Sequence, residues 1–150
     1  MDELADLYQQ VILDHCRRPR NFRVLPGATC NAEGNNPLCG DHFTIFLKLK
    51  GNVIEEVTFQ GAGCCMSKAC CSMMSEMLKG KTVDEVKDCF TKFQQMVTTG
   101  QMGDLEQMGK LCAFSGVHHF PMRVKCATLP WHALLAGING RPAASTEQQS

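Results

Sequence analysis

Three cysteines stand where the chain turns or an element ends. Cys39 lies in Asn36-Pro37-Leu38-Cys39-Gly40-Asp41, Cys64 follows Gly61-Ala62-Gly63, and Cys126 closes Arg123-Val124-Lys125-Cys126. Side chains at such positions can converge. Three thiolates joined by a carboxylate would complete a tetrahedral shell for Zn²⁺ or the ligand set of a small iron-sulfur cluster, because thiolates select both. The gaps of 25 and 62 residues are too wide for a local Cys-x-x-Cys signal. Residue types alone therefore leave metal binding, sulfur chemistry and the packing of small side chains all open. The sequence contains no Gly-x-Ser-x-Gly elbow, phosphate loop, His-Glu-x-x-His or dinucleotide fingerprint, which weakens most hydrolase and nucleotide readings.

The frame that must position these residues is small. A chain of 150 residues has room for one core, and the reading is one domain over residues 1–140 with a disordered tail over 141–150. Apolar residues make up 44% and charged residues 20%, so the chain should fold rather than stay disordered. Fifteen basic residues against fifteen acidic ones leave a formal charge of zero, which gives no field for nucleic acid or an anionic membrane. The longest charge-free stretch, 126–140, falls short of the roughly 20 apolar residues of a membrane helix. The first residues, Met-Asp-Glu-Leu-Ala-Asp, lack the basic start of a secretory signal. The expectation is a cytoplasmic protein whose ten cysteines stay reduced.

Leu4, Leu7, Tyr8, Val11 and Ile12 recur at helical spacing and predict a first helix over 3–15, stopped by Pro19. Arg17, Arg18, Arg20 and Arg23 form the basic cluster that follows, either a solvated helix end or a docking surface for an acidic partner. A short strand is predicted within 27–36. Alternation over 43–50 and 53–60 around Lys50-Gly51-Asn52 predicts a hairpin. The glycine-bearing loop 61–65 then leads into a helix over 66–79, capped by Gly80, whose small residues permit close packing. Thr82 and Glu85 have capping-box spacing and start a short helix, after which Phe90, Phe93, Met96 and Val97 continue a helical face. Residues 98–109 are polar and glycine-punctuated and read as an insertion, with Asp104 capping a short helix. In the last segment, 122–135, Pro130 should kink or divide the helix.

The motifs agree in order with one family. Leu7-Tyr8 through Asp14-His15 with Arg17-Arg18-Pro19-Arg20-Asn21, then Asn36 to Asp41, then Gly61-Ala62-Gly63-Cys64 with Met66-Ser67, and finally Arg123 to Trp131 resemble the U-type iron-sulfur cluster assembly family. The likeness covers about residues 4–137. It is nearest to the SufU branch, by the extra segment around 91–109 and by Lys125 before the last cysteine, where the scaffold branch carries a histidine. The resemblance implies an α+β fold, a three-stranded antiparallel sheet with helices packed on one side and a metal site at one end. It further implies that Cys39, Asp41, Cys64 and Cys126 hold Zn²⁺ and that Cys39 accepts persulfide sulfur from a SufS-like, pyridoxal-phosphate cysteine desulfurase. Asp41 would then be the hard ligand that keeps the site labile, and Arg123 would offset its negative charge. Sulfur would pass on to a downstream scaffold or apo-protein, from a monomer or homodimer. Two alternatives remain. The same ligands could build a [2Fe-2S] or [4Fe-4S] cluster, or the metal could be purely structural.

Cys65, Cys70 and Cys71 depart from the family pattern. Cys70 and Cys71 read as small side chains at a tight helix contact, whereas Cys65, near a helix N-terminus, is open to being a spare ligand, a resolving thiol or a cluster contact. Cys16, Cys30, Cys89 and Cys112 match no motif. Among the histidines, His15 and His132 read as packing residues and His42 should point away from Asp41 across its strand. His118 and His119 have only their place before the last helix to suggest ligation.

Overall fold

The computed structural model describes residues 3–101 and 105–145. The chain runs α1 (Glu3–Arg17), β1 (Cys30–Asn36), β2 (Asp41–Lys50), β3 (Val53–Ala62), α2 (Cys65–Met77), α3 (Val83–Thr99), α4 (Leu105–Met108), a 3-10 segment (Gly109–His119), α5 (Pro121–Ile138) and β4 (Ala143–Ser145). The strands lie in the order β3-β2-β1-β4. β1, β2 and β3 pair antiparallel and β4 joins β1 in parallel.

Alternation sets the sheet's two faces. In β2, Asp41, Phe43, Ile45 and Leu47 are buried on one face, and the β1 residues Ala32 and Asn36 are buried with them. The helices pack on this side. The row is apolar until its end, where Asn36 and Asp41 stand directly opposite each other in register. Gly34 lets α5 approach closely, since a Cβ there would lie 3.1 Å from the Ala133 Cβ. Behind α5, Phe93 packs edge-on to Phe114 at 5.8 Å and beside Trp131 at 5.3 Å, so aromatic burial fixes the helix layer.

Local signals place several elements. The hairpin turns through Gly51 at φ 60°, the left-handed conformation a two-residue loop demands. Thr82 and Glu85 form the complete capping box at the start of α3. α2 ends at Met77 with Leu78 as its C-cap, so the expected cap Gly80 lies beyond the helix end.

Three sequence expectations need correction. The sheet has a fourth strand, so the tail from 141 is paired at Ala143–Ser145, while 146–150 lie outside the described residues. Backbone pairing makes this strand, and no apolar pattern marks it. α3 is a long helix that runs to Thr99 and is closed by Gly100 at φ 81°; its polar last turn faces solvent, where Thr98 and Thr99 hydroxyls bond back to Gln94 and Gln95 carbonyls. The supposed cap Asp104 lies outside the described residues. α5 continues unbroken through Pro130, for a reason that lies in the site.

Candidate metal centre

Strand ends and helix starts gather the candidate residues at one end of the sheet. Cys39 sits in the turn between β1 and β2, whose last residue, Gly40, has φ 74°. Asp41 opens β2, Cys64 is the N-cap of α2, and Cys126 lies in the second turn of α5. One ligand atom each from Cys39, Asp41 and Cys126 falls within 4.8 Å of the other two. Cys126 Sγ is 3.6 Å from Cys39 Sγ, and Cys64 Sγ is 3.6 Å from Asp41 Oδ2. Cys39 is exposed, whereas Asp41 and Cys126 are 2% and 3% exposed. Cys39 is therefore the exposed thiol of the group, Cys64 is half-buried, and Asp41 and Cys126 are buried.

The buried members are held by protein donors. Asp41 Oδ1 accepts the Cys64 backbone N–H at 2.7 Å, and Asp41 Oδ2 lies 2.8 Å from the Ser67 hydroxyl. The side-chain amide of Asn36, itself fully buried, donates to Cys126 Sγ at 3.4 Å. The Ser67 backbone N–H donates to Cys64 Sγ at 3.4 Å. A hydrogen bond from the Cys126 thiol brings Cys64 down to about 6, assisted by the Ser67 backbone N–H. The same bond pushes Cys126 far up, because its proton is the one shared. Gly61 and Gly63 make the close approach of β3 and its following loop feasible. A Cβ on Gly63 would lie 2.6 Å from Asp41 Oδ1, and one on Gly61, at φ 138°, would lie 2.2 Å from the His42 carbonyl oxygen.

This donor set fits a thiophilic cation. Thiolates and one carboxylate are the chemistry of tetrahedral zinc and of iron-sulfur sites, and buried thiolates so close together need a positive charge to coexist.

The remaining candidates lie elsewhere. Cys65 turns to α1, where its thiol hydrogen-bonds with Cys16, and burial followed by that bond pushes it up to about 12. Arg123 is exposed, its guanidinium 4.7 Å from the centre of the Phe120 ring, one helical turn before Cys126. His42 is exposed and pairs with Glu33 at 3.3 Å on the opposite face of the sheet. His118 bonds the Ser115 carbonyl and packs where a Gly100 Cβ would be. His15 Nδ1 bonds Ser72 Oγ at 2.7 Å, and His132 meets Phe90 edge-on. Cys70 and Cys71 are buried in the helix layer as expected.

Sequence reasoning assigned no role to Ser67 or Asn36. The available signal was spacing, since Ser67 stands three residues after Cys64, where an N-cap's partner stands, and Asn36 is one residue before the Pro37-Leu38-Cys39-Gly40 turn.

The chain matches the NifU-like N terminal domain over residues 7–127. It is 40% identical over 135 residues to the zinc-dependent sulfurtransferase SufU of Bacillus subtilis, covering 90% of this chain and 91% of that protein. To the iron-sulfur cluster assembly scaffold protein IscU of Streptococcus pyogenes it is 35% identical, over 92% of this chain and 86% of that one. A solved structure from Fervidobacterium islandicum, described as a candidate iron-sulfur cluster assembly scaffold for the SUF system, superposes with a TM-score of 0.80 at 32% identity, covering 86% and 94% of the two chains. With most of its length matched in sequence and in fold, this chain belongs to the NifU-like N-terminal domain family.

Proposed function

We propose that this protein is a zinc-dependent sulfur acceptor of iron-sulfur cluster assembly, taking persulfide sulfur from a pyridoxal-phosphate cysteine desulfurase in the cytoplasm. The observation that carries the reading is the asymmetry of the cluster: Cys39 is exposed while Asp41 and Cys126 beside it are buried. Cys39, Asp41, Cys64 and Cys126 would hold the metal. Zinc, when bound, supplies a redox-inert positive charge that favours thiolates. The Cys39 thiolate attacks the outer sulfur of the donor's persulfide. The donor's S–S bond breaks, a new S–S bond forms on Cys39, and the donor leaves as a thiolate, so no oxidant or reductant is consumed. Asn36 keeps Cys126 in place during this exchange. The sulfur then passes to a downstream scaffold or apo-protein. Likeness to the B. subtilis zinc-dependent sulfurtransferase supports this reading.

Likeness to the S. pyogenes scaffold favours a second one, in which the same residues assemble a [2Fe-2S] or [4Fe-4S] cluster as cargo. Anaerobic purification with metal analysis and a visible spectrum separates the two. Colourless protein with one zinc supports the acceptor, and brown protein with iron and sulfide supports the scaffold. Cys39→Ala should abolish acceptance of labelled persulfide while retaining much of the zinc, and transfer at the wild-type rate would remove Cys39 from its role. Chelation should lower the melting temperature by several degrees.

A further inference from the structure

The side chain that touches the most members of the cluster is Ser67. It is fully buried, so water cannot satisfy it. Its Oγ is 2.8 Å from Asp41 Oδ2, 2.9 Å from the Cys126 carbonyl oxygen and 3.6 Å from Cys64 Sγ. A hydroxyl has one proton to donate, and both a carboxylate and a carbonyl only accept. That proton must therefore be divided between Asp41 and Cys126.

The demand from Cys126 has a cause in the sequence. In an α-helix the carbonyl of residue 126 would take the N–H of residue 130. Residue 130 is proline, which has no N–H, yet α5 runs through it unbroken. The orphaned carbonyl is turned to α2, where Ser67 stands. Pro130 and Ser67 thus act as one device. The proline creates an acceptor beside a candidate ligand, and the serine meets it with the proton that would otherwise be fixed on Asp41.

We propose that Ser67 is a positioning residue of the metal centre, sharing one proton between the Asp41 carboxylate and the Cys126 carbonyl freed by Pro130, and so setting how firmly Asp41 is held for ligation. This rests on the zinc reading above. The proton on Cys126 loosens Asp41, and the proton on Asp41 fixes it. The serine therefore tunes the one hard ligand of the set without touching the metal.

The experiment measures zinc affinity by competition with a chromophoric chelator, together with thermal melting, for wild type, Ser67→Ala, Pro130→Ala and the double variant. Ser67→Ala should weaken zinc by roughly 10- to 100-fold, the usual effect of losing a ligand's supporting hydrogen bond, and should lower the melting temperature because the Cys126 carbonyl is left buried and unpaired. Adding Pro130→Ala to it returns an N–H to that carbonyl, so the melting temperature should recover while affinity stays low. Pro130→Ala alone leaves the serine proton to Asp41 and should bind zinc more tightly than wild type. Unchanged affinity in Ser67→Ala, or affinity that recovers in step with melting in the double variant, overturns the proposal by making Ser67 merely structural. If Ser67→Ala does not fold, Pro130→Ala decides by itself: affinity equal to or weaker than wild type overturns the proposal. Wild type that holds no zinc overturns the zinc reading itself, and this proposal with it.

Discussion

Two populations of cysteine share this molecule, and their surroundings set them apart. Cys70, Cys71, Cys89 and Cys112 are buried among the helices, and desolvation pushes each thiol up. They behave as small apolar side chains. At the end of the sheet, the same residue type meets donors: Cys64 is brought down to about 6 by the Cys126 thiol and by Ser67. Burial alone quenches a thiol, whereas at the sheet end the shared proton stays on Cys126 and leaves Cys64 the activated one. Cys65 adjoins the active group in sequence but belongs with the quiet one, because its partner is Cys16.

The strongest way to break this comparison is native-state alkylation at pH 7. In metal-free protein Cys64 should react at least ~100-fold faster than Cys70 or Cys71, since the attacking species is the thiolate, and Cys39 should also precede them because it is exposed while they are buried. Peptide mass spectrometry reads the order, and early labelling of Cys71 would end the distinction. Phe93→Ala is the next largest effect. It removes a ring packed on Phe114 and Trp131 and should cost about 3–5 kcal/mol of stability, read by denaturant unfolding. Zinc stoichiometry in the folded fraction should not change, because the bonds that hold Asp41 and Cys126 come from Cys64, Ser67 and Asn36.

A smaller effect belongs to His15, which ties α1 to α2 through Ser72. Burial holds its imidazole below the ordinary 6.5, with Arg20 and Lys110 adding to the depression and Glu76 and Asp14 opposing it. As pH falls through 6.5 the unfolded chain takes up a proton that the folded chain resists, so stability is full above that pH and declines below it until the folded value is passed. Unfolding between pH 7 and 5 should show this slope, and His15→Gln should flatten it. An equal slope in the variant would place the titration elsewhere. The smallest effect is that of Cys65→Ser, which should leave zinc content and persulfide acceptance nearly unchanged. A drop in zinc content comparable to that of Cys64→Ala would move Cys65 into the site.

Local chemistry made much of the fold legible. The hairpin and the capping box are written in adjacent residues, and Cys39, Asp41, Cys64 and Cys126 stood out because four motifs agreed in order. What could not be read depends on partners far away in sequence. Pro130 suggested a broken helix because its compensating donor, Ser67, is 63 residues earlier. Cys65 was open to several roles because Cys16 approaches it only when α1 docks. β4 was invisible because three residues paired by backbone alone need no side-chain pattern.

That short strand has a consequence for how the protein can meet others. An uncovered strand invites a second chain to extend the sheet, the route to fibrous aggregation. Here β4 occupies the outer side of β1 along Glu33 to Asn35, and the outer side of β3 is crossed by bridges from Phe22 to Phe59 and from Thr82 to Val53. Where these pairs lie, a visiting protein finds the backbone already engaged. It must instead dock by side chains, as at the turn that presents Cys39. On the proposed sulfur-acceptor reading, successive partners would meet Cys39 at that turn and not by adding a strand where these pairs already lie.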